Sequence, residues 1–186
     1  MALKATIHKA RLQVADMDRG VYGDHELTIA RHPSETDERM VMRVFAYALN
    51  VPPDDTRGAL ELAKSLWDTD EPDLWQRDLT GQVVQWIELG QPDERRLSRA
   101  ASRSEQVTVY SYAASTPIWW AGLQGKLLRA PKVAVWQVDP AASQGLAGMV
   151  ERTMAWQVSV QDGTAWISDA SRSIEITPVL LKGRSG

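Results

Sequence analysis

Two groups of acidic residues have the types and the spacing that divalent-metal chemistry requires. Glu71 and Asp73 flank Pro72, and Glu88 lies near the end of the apolar, β-branched segment VVQWIEL. Carboxylates on neighbouring strands can point to one side of a sheet, where two or three oxygens hold Mg²⁺ or Mn²⁺ together with water and a substrate phosphate. An acid in so apolar a segment needs a partner, and an arginine or the backbone could serve instead of a metal. A metal site and an ordinary paired acid are therefore the two alternatives at Glu88.

An arginine-rich segment follows Glu88 closely. In DERRLSRAASR, Arg96, Arg99 and Arg103 lie at i, i+3 and i+7 and form one stripe on a predicted helix. Guanidinium groups bind phosphate oxygens bidentately, so Arg96 or Arg99 could orient a scissile phosphate or offset charge that develops in the transition state. The alternative is a solvated helix face, and we prefer that interpretation for Arg103.

Charge is distributed unevenly along a chain whose net charge is −3. Residues 54 to 78 contain eight acids and three bases, whereas residues 95 to 132 contain seven bases and one acid. The net charge argues against a general nucleic-acid-coating protein, but the local pattern is typical of a metal site beside a phosphate-binding surface. The alternative is that two solvated faces differ in sign by chance.

Composition excludes several other kinds of site. The 186 residues include no Cys and three His, which excludes a disulfide framework, a thiolate zinc site and a cysteine nucleophile. Any metal would therefore be held by oxygen ligands. No apolar run approaches the roughly 18 residues of a membrane span, and the start lacks the apolar core of a signal peptide. We expect a cytoplasmic protein with no membrane contact.

The elements that must position these residues alternate between strands and helices. Residues 4–32 read as a long hairpin or as two neighbouring strands. A helix follows, with Pro33 and Ser34 at its start and three acids in its first turn, and ends before Pro52. A second short helix is predicted within residues 54–72. Strands then flank a turn at Thr80 and Gly81. The remaining predictions are helices from 93, 116 and 140, strands at 107–112 and 132–138, a hairpin around Asp162 and Gly163, and one last strand. The expected fold class is α/β (α+β), with a mixed central sheet flanked by helices and one domain over residues 1–186.

Four separated segments, met in order along the chain, resemble the YaeQ family of small bacterial proteins. They are RHPSETDERM, DEPDLW, WIELGQPDERRLSRA and VTVYSY, and the likeness runs from MALKATI to DGTAWISD. The resemblance implies a variant of the restriction-endonuclease-like fold, related to the PD-(D/E)XK nucleases. In that pattern a helix carrying an acid precedes a sheet with two metal-binding acids.

The nuclease pattern is carried over residue by residue. Glu35 or Glu38 matches the acid of the first helix, Asp73 or Glu71 matches the first metal ligand, and Glu88 matches the second. The chain departs from the pattern at Gly90, where the nucleases have a catalytic lysine. Another cation on the next helix, Arg96 or Arg99, or the weaker amide of Gln91 could take that role.

These inferences predict a divalent-metal-dependent nuclease or nucleic-acid-processing phosphodiesterase. Asp73 and Glu88, helped by Glu71, would hold Mg²⁺ or Mn²⁺, and Arg96 or Arg99 would replace the missing lysine. Glu38 would orient a water or a second ion. The alternative is a catalytically inactive module of the same fold that binds nucleic acid or a protein partner, with its acids paired to the arginines.

Overall fold

The computed structural model describes residues 4–185, so the first three residues of the MALKATI match and Gly186 lie outside the description. The described residues form eleven strands, four α-helices and one short 3₁₀ turn. Their bounds are β1 (Thr6–Asp16), β2 (Val21–Arg31), α1 (Asp37–Asn50), β3 (Leu60–Leu62), β4 (Leu74–Arg77), β5 (Val83–Leu89), α2 (Glu94–Arg103), β6 (Ser104–Ser111), α3 (Thr116–Leu123), the 3₁₀ turn (Gln124–Leu127), β7 (Val133–Gln137), α4 (Pro140–Ala147), β8 (Thr153–Gln161), β9 (Thr164–Ser168), β10 (Ser173–Ile176) and β11 (Val179–Lys182).

The strands form two mixed sheets. The five-stranded sheet has the order β10-β9-β8-β1-β2, in which β1 and β8 are parallel. The six-stranded sheet has the order β11-β7-β6-β5-β4-β3, and its three central strands are parallel. The prediction of a single central sheet is therefore wrong. The reason is the parallel pairing of β1 with β8, which forms a separate sheet from strands far apart in the chain. No local pattern in the sequence indicates such a pairing.

Helix α1 occupies the space between the two sheets. Every residue from Met40 to Ala48 is buried, and this segment packs in one core cluster with side chains of both sheets. A second core cluster lies on the opposite face of the six-stranded sheet, where α2 and α3 cover residues such as Trp86 and Val109. The order of layers is thus five-stranded sheet, α1, six-stranded sheet, and the pair α2 and α3.

Most local predictions are confirmed, and one helix is wrong. The hairpins around residues 17–20, Thr80-Gly81 and Asp162-Gly163 form, and Asp162 and Gly163 both have positive φ, as a two-residue hairpin turn requires. Residues 54–72 contain turns and the strand β3 instead of a second short helix, because Leu60–Leu62 pairs with β4 at the sheet edge. The chain after residue 172 forms two strands where one was predicted. Among residues 4–185, no helix is long and apolar enough to cross a membrane.

Candidate functional site

Antiparallel pairing of β4 with β5 brings Asp73 and Glu88 together. Leu74 stands opposite Ile87 in this pair, so Asp73 and Glu88 occupy the next position along it. Both are buried, with relative exposures of 0% for Asp73 and 4% for Glu88. The two acids chosen from the sequence therefore share one end of a strand pair.

Both carboxylate oxygens of Asp73 accept hydrogen bonds. Its Oδ1 accepts from the Ser65 hydroxyl at 2.6 Å and from the guanidinium of Arg39, while its Oδ2 accepts from the Leu89 amide at 2.7 Å. A carboxylate without exposure to water needs such partners, since burying an unpaired charge is costly. Asp73 thus joins the loop before β4, the end of β5 and helix α1.

Two arginines of α1 bind a third acid, Glu35, and one of them also binds Asp73. Arg39 donates to Glu35 at 2.7 Å as well as to Asp73, and Arg43 donates to the other Glu35 oxygen at 2.5 Å. Burial lowers the pKa of Arg39, but the charges of Asp73 and Glu35 outweigh burial and raise it above its usual value. The helix begins at Asp37 with Thr36 as its N-cap, so Glu35 precedes the first turn in which it was predicted. Its carboxylate turns back towards the arginines.

Glu88 is paired to Arg96, as the short spacing between them suggested. Its Oε1 accepts from the Arg96 Nε at 2.7 Å and from the indole N–H of Trp86 at 2.8 Å. The other Arg96 nitrogens donate to the carbonyl oxygens of Thr69 at 2.7 Å and Glu71 at 3.0 Å. Arg96 therefore fixes α2 both to the buried acid and to the loop before β4.

Burial and the neighbouring Asp73 both disfavour the charged form of Glu88. Burial first, and the negative charge of Asp73 second, raise the pKa of Glu88 from 4.5 to about 7, against the opposing effects of Arg96 and of the Trp86 hydrogen bond. A neighbouring carboxylate and a low-dielectric site are the two causes that move acids of catalytic centres in this direction. Glu88 consequently changes its charge near neutral pH.

Backbone conformation accounts for the glycine at the nuclease lysine position. Gly90 has a φ of +101°, a region that side-chain-bearing residues rarely adopt, and its amide donates to the Tyr110 carbonyl at 2.8 Å. A lysine here would be strained. The Gln91 amide donates to the Ser115 hydroxyl at 2.8 Å and so contacts the start of α3. Of the candidates to replace the lysine, Arg96 is the one that contacts Glu88.

The other predicted site residues have partners of their own. Glu71 accepts from the Lys64 amide at 2.9 Å, and Glu38 accepts from the Ser143 hydroxyl of α4 at 3.2 Å. Arg99 is exposed and lies 3.6 Å from Asp70. Residues 4–185 contain no cluster of three or more acids or histidines arranged to hold a metal ion. A metal at this site would therefore depend on Asp73 and Glu88 as its protein ligands.

Sequence reasoning missed Arg39, Arg43 and Ser65. The signal for the arginines was present, because Glu35, Arg39 and Arg43 recur every four residues beside an apolar stripe, and a cation on a buried helix face needs an acid. Arg43 is indeed buried, with a relative exposure of 5%. Ser65 carried no signal, since it lies in the segment that was predicted to be helical.

Fold and site together define a small α+β protein with two mixed sheets. Arginines of two helices form ion pairs with its two buried acids. The family model described as YaeQ protein matches residues 1–178, and the chain belongs to this family. Two relatives, both described as "Uncharacterized protein YaeQ", are 41% identical (Salmonella typhi) and 40% identical (Escherichia coli K12) over 177 residues, which cover 95% of each chain.

Solved structures of family members have the same fold. The YaeQ protein from Xanthomonas axonopodis pv. citri superposes with a TM-score of 0.91 at 40% identity, over 96% of this chain and 99% of that one. The YaeQ protein from Pseudomonas syringae superposes with a TM-score of 0.89 at 34% identity, over 98% of both chains. The architecture described above is therefore that of the family.

Proposed function

We propose that the chain is a divalent-metal-dependent phosphodiesterase that acts on nucleic acid, with Asp73 and Glu88 as its metal ligands. The observation that carries this proposal is the buried acid pair itself, in which the charge of Asp73 helps to raise the pKa of Glu88 to about 7. Two buried carboxylates repel each other, and a divalent cation bound between them would remove this repulsion. The resemblance to a nuclease fold supports the same assignment.

The donor set fits a hard cation. Mg²⁺ is usually held by one or two carboxylates and completes its shell with waters and substrate phosphates, so Asp73 and Glu88 suffice without a third acid. Within residues 4–185, no hydrogen bond reaches Glu88 Oε2, which leaves that oxygen available as a ligand. Such an ion supplies Lewis-acid chemistry and lowers the pKa of a bound water.

The side chains around the pair would hold the substrate. Arg96 keeps 29% of its side chain exposed while it contacts Glu88, so its guanidinium can reach a phosphate oxygen beside the acids. Burial raises the pKa of Tyr112 to about 12, and this hydroxyl, close enough to feel the charges of Arg39 and Glu38, stays a proton donor at neutral pH. Arg99, exposed on the same helix as Arg96, would contact a phosphate farther along a strand. Glu38 would orient a water in exchange for its bond to Ser143.

A second candidate function is a non-catalytic module that binds nucleic acid or a protein partner. Two observations favour it, since each acid is already neutralised by an arginine and the left-handed Gly90 disfavours the nuclease lysine. Under this function the acid–arginine pairs stabilise the fold and no ion displaces them.

Titration with Mn²⁺ and Mg²⁺ by calorimetry separates the two functions. The phosphodiesterase proposal expects saturable binding to the wild type that is lost in Glu88→Gln and retained in Glu61→Gln, a matched change of an exposed acid on the same sheet. No binding to the wild type at millimolar ion would overturn the metal-dependent mechanism and leave the binding module.

Cleavage assays then test the reaction itself. Duplex DNA, single-stranded DNA, RNA and bis(p-nitrophenyl) phosphate are incubated with the wild type and each ion. Cleavage that requires the ion and disappears in both Asp73→Asn and Glu88→Gln supports the phosphodiesterase. Ion binding without cleavage of any of the four substrates would contradict it.

A further inference from the structure

A cavity lies at the opposite end of α1 from the acid pair. It has a volume of about 340 Å³ and opens between the two sheets, beside Leu49 and Asn50 at the end of the helix. The 14 residues of α1 span about 20 Å, so this cavity is separate from the contacts of Glu35 and Arg39. Its volume falls in the range of small-molecule sites, about 300 to 1,000 Å³.

The body of the cavity is apolar and aromatic. Trp136 of β7 lines one side, and Val160 and Ala165 of the hairpin β8–β9 line the other. The two sheets thus present a flat indole ring opposite small aliphatic side chains. This geometry suits a small aromatic or aliphatic group.

The acids that line the cavity are already satisfied. Asp16 accepts from the Nε of Arg19 at 2.6 Å and from its amide at 3.0 Å. Asp18 accepts from the amides of Asp162 at 2.7 Å and Gly163 at 2.8 Å. Asp16 is thus neutralised by Arg19, whereas Asp18 is held by the backbone amides of the β8–β9 turn, and neither forms an ion pair with Arg184.

Arg184 is the lining cation without an acid. Its guanidinium donates to neutral oxygens, namely the carbonyls of Lys132 at 3.1 Å and Val107 at 3.2 Å and the hydroxyl of Thr108. Among residues 4–185, no carboxylate lies within ion-pair distance of it. Because neutral acceptors do not compensate its positive charge, this arginine can form an ion pair with an anionic ligand.

Tyr110 adds a buried donor to the same cavity. Its hydroxyl oxygen accepts from the Asn50 amide at 2.9 Å, and only 4% of the residue is exposed. Within the described residues its own O–H has no acceptor. A buried hydroxyl with an unused proton and an unpaired guanidinium both favour a carboxylate as the polar group of a ligand.

We propose that this cavity binds a small organic carboxylate with an aromatic body. The carboxylate lies between Arg184 and Tyr110, and the aromatic group packs between Trp136 and the side chains of β8 and β9. The site is independent of the phosphodiesterase proposal, because neither a phosphate nor a metal ion takes part in it.

The test uses 2-naphthoate, indole-3-acetate and benzoate as probes, with naphthalene-2-methanol as the neutral counterpart of the first. Binding is followed by calorimetry for the wild type, Arg184→Gln, Tyr110→Phe and the control Arg129→Gln, an exposed arginine outside the cavity. We expect Arg184→Gln to weaken binding of the carboxylates by about tenfold or more, and Tyr110→Phe by severalfold. Binding of the neutral probe, weak in the wild type, is expected to be equal in all four proteins.

Three results would overturn the proposal. These are no saturable binding of any carboxylate to the wild type at millimolar concentration, equal binding to Arg184→Gln, or an equal loss in Arg129→Gln. Thermal unfolding shows whether each variant is folded. Should Arg184→Gln be unfolded, Thr177→Trp provides a second test, because it places an indole at the exposed mouth of the cavity. Retained binding in that variant would likewise overturn the proposal.

Discussion

Burial disfavours the negative charge of Glu88 and so makes the stability of the protein depend on pH. The pKa of Glu88 is about 7 in the folded protein and 4.5 where the group is unperturbed, so the folded state holds a proton that the unfolded chain has released between these values. For an acid whose pKa is raised, stability is fully present below the unfolded pKa and is lost as pH rises through the folded pKa. Glu88 therefore makes the protein less stable at pH 8 than at pH 5.

Glu88→Gln removes this titration. We expect the free energy of unfolding of the wild type, relative to that of Glu88→Gln, to fall by up to roughly 3 kcal/mol between pH 4.5 and pH 8. Urea unfolding at intervals of one pH unit measures the difference. Glu61→Gln, which alters an exposed acid, serves as the control. If the free energies of unfolding of the wild type and of Glu88→Gln changed in parallel with pH, the raised pKa of Glu88 would be contradicted.

Asp73 is the residue whose loss costs the most stability at the acid pair. Asp73→Ala removes three hydrogen bonds and leaves Arg39 with Glu35 as its one acid among the described residues, so we expect the free energy of unfolding to fall by about 3 to 5 kcal/mol. Glu105→Ala breaks an ion pair of similar length with Arg57, 2.6 Å, but at an exposed position, and should cost less than about 1 kcal/mol. Chemical denaturation compares the two variants. Equal losses of unfolding free energy in the two variants would show that burial does not determine how much each ion pair contributes.

At the scale of elements, the edge strand β3 replaces a predicted helix because of one glycine contact and one strand pairing. Gly58 has a φ of +85°, and a Cβ built there would lie 1.9 Å from the Arg77 carbonyl oxygen of the adjoining strand. This close approach fixes the chain entering β3 against the end of β4. The helical spacing of Leu60, Ala63 and Leu66 is a local preference that the pairing overrides.

Gly58→Ala tests this account. The added methyl group meets backbone as well as an unfavourable φ, so we expect a loss of about 1 to 3 kcal/mol or more in the free energy of unfolding. Gly20→Ala is the matched control, since Gly20 has a φ of +68° with no atom within 4 Å of the added Cβ. It should cost only about 1 kcal/mol. Equal effects in a thermal or urea titration would contradict the importance of the close contact.

Local signals account for the elements that the sequence predicts correctly. The turn residues Asp162 and Gly163, the cap Asp93 and the prolines around α1 each act within a few residues of where they stand. Asp73 and Glu88 could be predicted together because one hairpin separates them. Arg39 reaches Asp73 only through the packing of α1 on the six-stranded sheet, and no spacing in the sequence encodes that contact.

At the scale of the whole molecule, the acidic and basic segments of the chain bind each other. Arg57 pairs with Glu105, Arg99 lies near Asp70, and Arg96 donates to carbonyls of the acidic segment. Several bases of the second segment, among them Arg96, Arg103 and Lys132, already donate to acceptors within the fold. Arg95 and Arg129 are exposed and have no acid partner among residues 4–185, and Arg99 stays exposed beside Asp70, so these three are the cations left for a basic surface narrower than the sequence predicts.

This limited surface predicts a shallow salt dependence for nucleic-acid binding. Three cations release about three counterions, so the slope of log affinity against log salt for duplex DNA should be no steeper than about −3. Fluorescence anisotropy with a short labelled duplex between 50 and 300 mM salt, a range of roughly sixfold, measures it. Arg95→Gln should reduce the slope by about one, and Arg11→Gln on the other sheet should leave it unchanged. A slope near −6 would require a different binding surface.

The position of β1 between β2 and β8 has a consequence for how the chain folds during synthesis. β1 can pair with β2 as soon as both strands have left the ribosome, but its other edge stays unpaired until residues 153–161 have been made. Until then the apolar surface of α1 is covered incompletely, because that surface packs against both sheets. Pairings so distant in sequence form slowly. The nascent chain therefore exposes part of the apolar surface of α1 until β8 pairs with β1.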